Sequence, residues 1–229
     1  MANRDPTLCT KIVEGISSVL QWDRVTAVEF GNEPDYGTAR RDFYTPLTPD
    51  CKTASGPPHY NHTCSLLSEE KDYVAMWSTY VSAALASGAM PMGKVQAGAF
   101  SGPYSPVLHQ IFSNSSAWLH SVSIHSYGGN KQHTIEAGQR LLLSDASTVS
   151  NADSLKEYIA LTHSNGKLFY VGEANSITGG GQIGVSNTFV SALWVIDFLF
   201  SMAEAGADGV NINCGGARPL DAFNNSPSN

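Results

Sequence analysis

Charge is scarce in this chain. Of its 229 residues, 14 % are Asp, Glu, Lys or Arg, against roughly 25 % in an ordinary soluble domain. Aromatics make up 10 %. That combination argues against a disordered chain, which stays unfolded through high charge and few aromatics. Positive charge is scarcer still. Thirteen Lys and Arg face twenty Asp and Glu, a formal charge of −7, so nucleic acid is not an expected partner. No apolar run reaches the roughly 18 residues of a membrane span. The start, Met1-Ala2-Asn3-Arg4-Asp5-Pro6, lacks the apolar stretch of a signal peptide. There is no Gly-x-Ser-x-Gly elbow, which argues against a serine hydrolase. The glycine run Gly179-Gly180-Gly181 lacks the Gly-Lys-Ser/Thr ending of a phosphate loop.

Cysteine is sparse too, with four in all. Cys51 and Cys64 bracket a loop rich in Pro, Thr, Ser and His. A disulfide closing it is the expectation, contributing roughly 3 kcal/mol through the unfolded chain. A zinc site with His59 and His62 is the alternative, but the spacing matches no familiar zinc pattern. Cys9 and Cys214 are left open between pairing and free thiols. The sequons at Asn61, Asn114 and Asn224 are those of a secreted glycoprotein. The full-length protein is therefore expected to be extracellular, although this chain carries no signal peptide.

What is present is an alternation of helical and apolar-strand patterns in a length sufficient for one large core. A helix is expected over Thr7–Leu20, with Leu8, Ile12, Val13, Ile16 and Leu20 on one face. The strand Val25–Phe30 follows, then a long loop from Pro34 to Thr63. Ser68 is the expected N-cap of a helix whose Tyr73, Trp77, Tyr80, Val81 and Ala84 recur at helical spacing as core, with Gly88 ending it. Further strands are expected at Val95–Phe100, Val122–His125, Leu168–Gly172 and Gly209–Ile212. Helices are expected near Pro106–Phe112, over Ser154–His163 and, capped by Ser186, over Phe189–Ala205. Trp194 reads as core.

Strands that alternate with helices form a parallel α/β protein. A doubly wound sheet keeps its ligand at one switch point. Here polar residues follow nearly every strand: Asn32 and Glu33, Ser101, Ser126 and Tyr127, Glu173 and Asn175, Asn213. A (β/α)8 barrel of TIM type collects its chemistry in that way, but needs eight strands and about 250 residues. The fold expected is such a barrel, truncated at its N-terminal side, with about strands four to eight present.

Two carboxylates stand out. Glu33 follows an apolar strand within Gly31-Asn32-Glu33-Pro34, and Glu173 follows Leu168-Phe169-Tyr170-Val171-Gly172. Cleaving a glycosidic bond requires one carboxylic acid to protonate the leaving oxygen and a second carboxylate to attack the sugar or activate water. Two strand ends of one barrel can present such a pair across its mouth. Glu33 is read as acid/base and Glu173 as nucleophile. Asn32 can reach a sugar 2-hydroxyl, and Tyr127 is open between packing and holding the Glu173 carboxylate by a hydrogen bond. His125 is open between a satisfied buried histidine and a site residue.

Asn32-Glu33-Pro34 after one strand, with Glu173 ending the third strand after it, resembles clan A of the retaining glycoside hydrolases. Within that clan, Gly172-Glu173-Ala174-Asn175-Ser176, the following Gly179–Ser186 segment and Leu193-Trp194-Val195-Ile196-Asp197 resemble family 79, which contains β-glucuronidases and heparanases. The resemblance runs from about Val25 to Gly216. It implies that residues 1–229 are a partial catalytic barrel domain without the family's C-terminal β-sandwich. It implies a retaining exo-β-glucuronidase that acts on glucuronic acid-bearing glycans and uses no cofactor or metal. Asn32, Tyr127, Asn175, Gly181 and Gln182 are the substrate-binding candidates, with the glycine loop receiving the sugar carboxylate on backbone N–H groups. No Arg or Lys stands next to either glutamate motif. The alternatives are a neutral-sugar β-xylosidase or β-glucosidase of the same clan, and a catalytically inactive fragment.

Overall fold

The computed structural model describes residues 6–34, 66–103 and 105–214. Cys51, Cys64, Asn61 and Asn224, with the expected disulfide and two of the sequons, lie outside them. The strands are β1 (Val28–Glu29), β2 (Val95–Phe100), β3 (Leu119–Gly129), β4 (Leu168–Ile177) and β5 (Gly209–Ile212). The helices are α1 (Pro6–Val19), α2 (Leu66–Ala86), α3 (Ser105–Ser115), α4 (Ile135–Leu142), α5 (Val149–Asp153), α6 (Lys156–Ser164) and α7 (Phe189–Ala205). Five parallel strands in the order β1-β2-β3-β4-β5, with helices between them, are the βα arrangement of a (β/α)8 barrel. Strands of a parallel sheet are covered on both faces and so read as continuous apolar or small runs. Of the residues in β2, only Gln96 is not buried. The chain divides into two compact units, Met1–Phe100 with Tyr104–Ser121, and Ser101–Pro103 with Val122–Asn229.

In the first unit β1 pairs with β2, Val28 facing Val95 and Glu29 facing Gln96. The Gln96 amide donates to Glu29 Oε1 at 3.0 Å and accepts from Ser121 Oγ at 2.8 Å. One polar rung therefore runs across three strands and fixes their register. β1 is shorter than the apolar run Val25–Phe30. The Val25 carbonyl is taken by the Lys94 ammonium at 2.6 Å, and the ladder starts only where the Val28 N–H meets the Lys94 carbonyl at 2.8 Å. α2 buries Tyr73, Trp77, Tyr80, Val81 and Ala84 as its spacing requires. It begins at Leu66, so Ser68 lies inside the helix and is not its cap. α1 packs against α2 through a narrow seam in which Val13 is buried. Leu8, Ile12 and Leu20 stay exposed, so the full apolar face read from the sequence is not buried among the described residues.

In the second unit β4 pairs with β5. β3 and β4 are each longer than their most apolar cores, because small and polar residues continue the ladder past Ser126 and past Gly172. Two helices, α4 and α5, fill the connection that the sequence left unassigned. The N-cap position of α7 is Thr188, not Ser186, and the Thr188 side chain makes no capping bond; the Ser186 hydroxyl accepts the Gln182 N–H at 3.1 Å. α7 ends at Gly206 as expected, and α6 ends with Asn165 as its C-cap, followed by Gly166, whose N–H bonds back to the His163 carbonyl.

The core of this unit is built around a missing side chain. A Cβ on Gly128 would stand 2.7 Å from Trp194 Nε1 and 2.7 Å from the Ser176 carbonyl oxygen. Trp194 is buried, stacks on Phe198 with ring centroids 4.7 Å apart, and donates to the Ser147 carbonyl at 3.1 Å. At the other end of the strands, Asp208 accepts the Phe169 N–H at 2.7 Å and faces His163 Nε2 at 2.9 Å. Burial is the largest single influence on this carboxyl and pushes it up. The Phe169 N–H and the neighbouring His163 together outweigh burial and hold it below the ordinary 3.8.

Gly128→Ala is expected to destabilise the chain by roughly 1–3 kcal/mol, because the added methyl forces a buried indole or a backbone carbonyl to shift; a denaturant titration against wild type measures it. The lowered Asp208 carboxyl contributes stability above its ordinary value of 3.8, and that contribution disappears as pH falls through the folded-state value. Asp208→Asn is therefore expected to be less stable than wild type at neutral pH and to close the gap on acidification below 3.8. Unfolding midpoints at neutral and acid pH check this, and a constant gap would refute it.

Candidate active site

Glu33 leaves β1 in an uncommon backbone conformation. Its φ is 43°, and it donates its N–H to the Ala99 carbonyl at 2.7 Å; Ala99, at the end of β2, has φ 51°. A non-glycine residue in this left-handed region costs roughly 1–2 kcal/mol. Two such residues joined by one hydrogen bond concentrate strain at the C-terminal ends of β1 and β2. Strain of this kind persists where surrounding structure fixes it, and it gathers at functional sites. Pro34 after the carboxylate is buried, and Asn32 before it is exposed.

Glu173 is not the residue after β4 but lies within it. Against β5, Val171 faces Val210 and Ala174 faces Ile212, a register shift between Val171 and Ala174. Gly172 and Glu173 thus occupy a bulge, where two residues stand opposite one. A bulge turns its side chains off the regular alternation of the strand.

The bulged carboxylate is held from two sides. The Tyr127 hydroxyl donates to Glu173 Oε1 at 2.6 Å, one of the two roles left open by the sequence. Asn213, just past β5, donates from Nδ2 to the same Oε1 at 3.0 Å and to the Tyr127 hydroxyl at 3.0 Å. Hydrogen bonds to a carboxylate are short and strong, and two on one oxygen fix the group's orientation. His125 is buried, with Nδ1 3.9 Å from Glu173 Oε2, beyond hydrogen-bond range. The carboxylate side chain itself is 28 % exposed.

Behind these groups stands a supporting layer. Asn175 is buried; its Nδ2 donates to the Asn213 carbonyl at 2.7 Å, and its Oδ1 accepts the Ser176 N–H at 2.6 Å. It ties β4 to the residue that carries the second donor. Asn151 on α5 donates to the Tyr127 carbonyl at 2.8 Å and accepts from Ser126 Oγ at 2.9 Å. The loops after β3 and β4 are joined into one rim. Thr178 donates from Oγ1 to Asn130 Oδ1 at 2.8 Å. The Gln182 amide accepts the Gln132 N–H at 2.9 Å and donates to the Gln132 carbonyl at 3.0 Å. Between Thr178 and Gln182, Gly179, Gly180 and Gly181 all have positive φ, 65°, 84° and 85°. Only glycine holds three such values in succession, and the result is a stretch of main chain that a ligand can approach closely.

The structure therefore gathers Tyr127, Glu173 and Asn175 into one network and places Gly181 and Gln182 in the adjoining rim. Glu33 and Asn32 stand together after β1. Sequence reasoning assigned no role to Asn213 or Asn151. The first was visible as a polar residue closing an apolar strand. The second had no signal, because it reaches the site from a helix in a connection with no strand of its own.

No protein-family model matches this chain, and no curated protein matches its sequence. Solved structures do match. A 4-O-α-L-rhamnosyl-β-D-glucuronidase from Fusarium oxysporum aligns with a TM-score of 0.70 at 16 % identity, over 96 % of this chain and 43 % of that one. A GH39 β-xylosidase from Caulobacter crescentus aligns with a TM-score of 0.54 at 14 % identity, over 90 % and 37 %. A monomeric β-xylosidase from Caulobacter crescentus gives 0.56 at 16 %, with the same coverages. This chain thus has part of the (β/α) barrel fold of these structures and spans less than half their length.

Proposed function

We propose that this chain is the catalytic portion of a retaining O-glycoside hydrolase, an exo-β-glucuronidase acting on glucuronic acid-containing glycans. The observation that carries the reading is the seat of Glu173: a carboxylate on a bulge, oriented by Tyr127 and Asn213 through one oxygen. In the first step Glu173 attacks the anomeric carbon, the bond to the leaving oxygen breaks, and Glu33 gives that oxygen its proton. In the second step Glu33 takes a proton from water, the water oxygen attacks the anomeric carbon, and the bond to Glu173 breaks. Asn32 contacts the sugar 2-hydroxyl. The Tyr127 and Asn213 donors keep the nucleophile aligned for an attack that a small misplacement would slow. The backbone at Gly181, with Gln182 beside it, meets the sugar carboxylate. The family 79 resemblance of the Gly172–Ser186 segment supports glucuronic acid as the sugar. The likeness in fold to a glucuronidase is in keeping with it. Secretion of the full-length protein is part of the same reading, and Asn114, exposed on α3, is its described glycosylation candidate.

A second reading keeps both glutamates and takes a neutral sugar. Its support is the fold shared with β-xylosidases.

Purified chain is to be assayed on chromogenic β-D-glucuronide, β-D-glucoside and β-D-xyloside. Glucuronide turnover is expected, falling at least about 10³-fold in Glu173→Gln, since a nucleophile acts as part of a unit. Full activity in that variant would remove the mechanism, and preference for xyloside or glucoside would replace the substrate. Tyr127→Phe deletes one donor and is expected to lower kcat by about tenfold to a hundredfold, the worth of a hydrogen bond to a charged group. An unchanged kcat would show that the hydroxyl only packs.

A further inference from the structure

We propose that Lys131 is the cation that receives the carboxylate of the uronic acid, and so sets the preference for acidic over neutral sugars. This rests on the glucuronidase reading above. The sequence showed no basic residue beside either glutamate motif, yet folding brings one to the glycine loop. Past Tyr127 and Glu173, β3 and β4 stay in step. The Gly129 carbonyl accepts the Thr178 N–H at 2.9 Å, and Asn130 accepts the Thr178 hydroxyl at 2.8 Å. Gln132 is bonded through both its backbone groups to the Gln182 amide. Lys131 is thus flanked by two anchored residues, so its main chain is held although its side chain is exposed.

The lysine stem lies over the first of the three bare glycines. Its Cε and Nζ are 3.9 and 4.0 Å from the point where a Cβ on Gly179 would stand. Among the described residues the ammonium has no hydrogen-bond or ion-pair partner. Lys131 is four residues past Tyr127, at most about 14 Å along the chain, and a lysine side chain spans part of that distance. An ammonium over a stretch of main chain with no side chains suits an anion that is also approached by backbone. Carbohydrate hydroxyls gain little from such a charge, whereas a carboxylate gains a charge-assisted hydrogen bond. Lysine acts here as a mobile point charge with no planar fork.

The test compares wild type, Lys131→Gln and Lys131→Arg on 4-nitrophenyl β-D-glucuronide and 4-nitrophenyl β-D-xyloside, with calorimetric titration of D-glucuronate into each protein. Lys131→Gln is expected to raise the glucuronide KM, and the D-glucuronate Kd, by about tenfold to a hundredfold. The kcat on glucuronide and the rates on any xyloside cleaved should stay within about twofold, and Lys131→Arg should recover most of the loss. An unchanged glucuronide KM and D-glucuronate Kd in Lys131→Gln would overturn the proposal while leaving the glucuronidase reading in place. Equal losses on both glycosides would also overturn it, by making the lysine a structural residue. A wild-type chain that cleaves xyloside and neither cleaves glucuronide nor binds D-glucuronate would remove both readings. If no glycoside is turned over, the D-glucuronate titration decides alone: weaker binding in Lys131→Gln supports the site, and equal or absent binding refutes it.

Discussion

The space left by Gly128 is occupied by the Trp194 indole and by the Ser176 carbonyl, and the alignment of β3 with β4 depends on it. That alignment puts Tyr127 beside Glu173 and continues through Gly129 and Thr178 to the joined rim of Asn130, Gln132 and Gln182. A protein interior is packed too densely to absorb an added methyl group without moving something. Buried Trp194 from α7 and the Glu173 carboxylate in β4 are therefore linked through one residue that has no side chain.

Departures from regular geometry occur in each unit at the glutamate for which chemistry is proposed. Glu33 and Ala99 sit at positive φ, and Glu173 sits on a bulge in a parallel pair, where bulges are rare. Each costs folding free energy that the surrounding packing must offset. Their shared effect is to turn a carboxylate, or the backbone next to it, away from the direction that a regular strand would give it. Glu173 Oε1 is held by neutral donors, Tyr127 and Asn213. Neutral donors orient a carboxylate without neutralising it, which suits the nucleophile role proposed for Glu173.

Much of the fold was legible in the amino-acid pattern. β2 and β5 have the bounds their apolar runs imply, α7 stops at its glycine, and α6 stops just before its own. The aromatic stripe from Tyr73 to Tyr80 is core. Boundaries failed where a side chain competed with the backbone ladder. Lys94 takes the Val25 carbonyl and shortens β1. Small and polar residues with no apolar signal lengthen β3 and β4. Ser68 and Ser186 have the chemistry of caps, but neighbouring residues open those helices.

For the site, the sequence by itself determined which two glutamates close apolar runs and that the Gly179–Gly181 stretch has no side chains. Those are local properties, carried by residue type and by distance along the chain. Only the tertiary structure decided that Glu173 lies on a bulge, that Asn213 shares its oxygen, that Asn151 supports Tyr127 and that Lys131 lies over Gly179. Each of these depends on which residues of separate elements come to stand opposite one another. That is set by packing over the whole unit, through contacts such as Trp194 on Gly128, and no short window of sequence contains it.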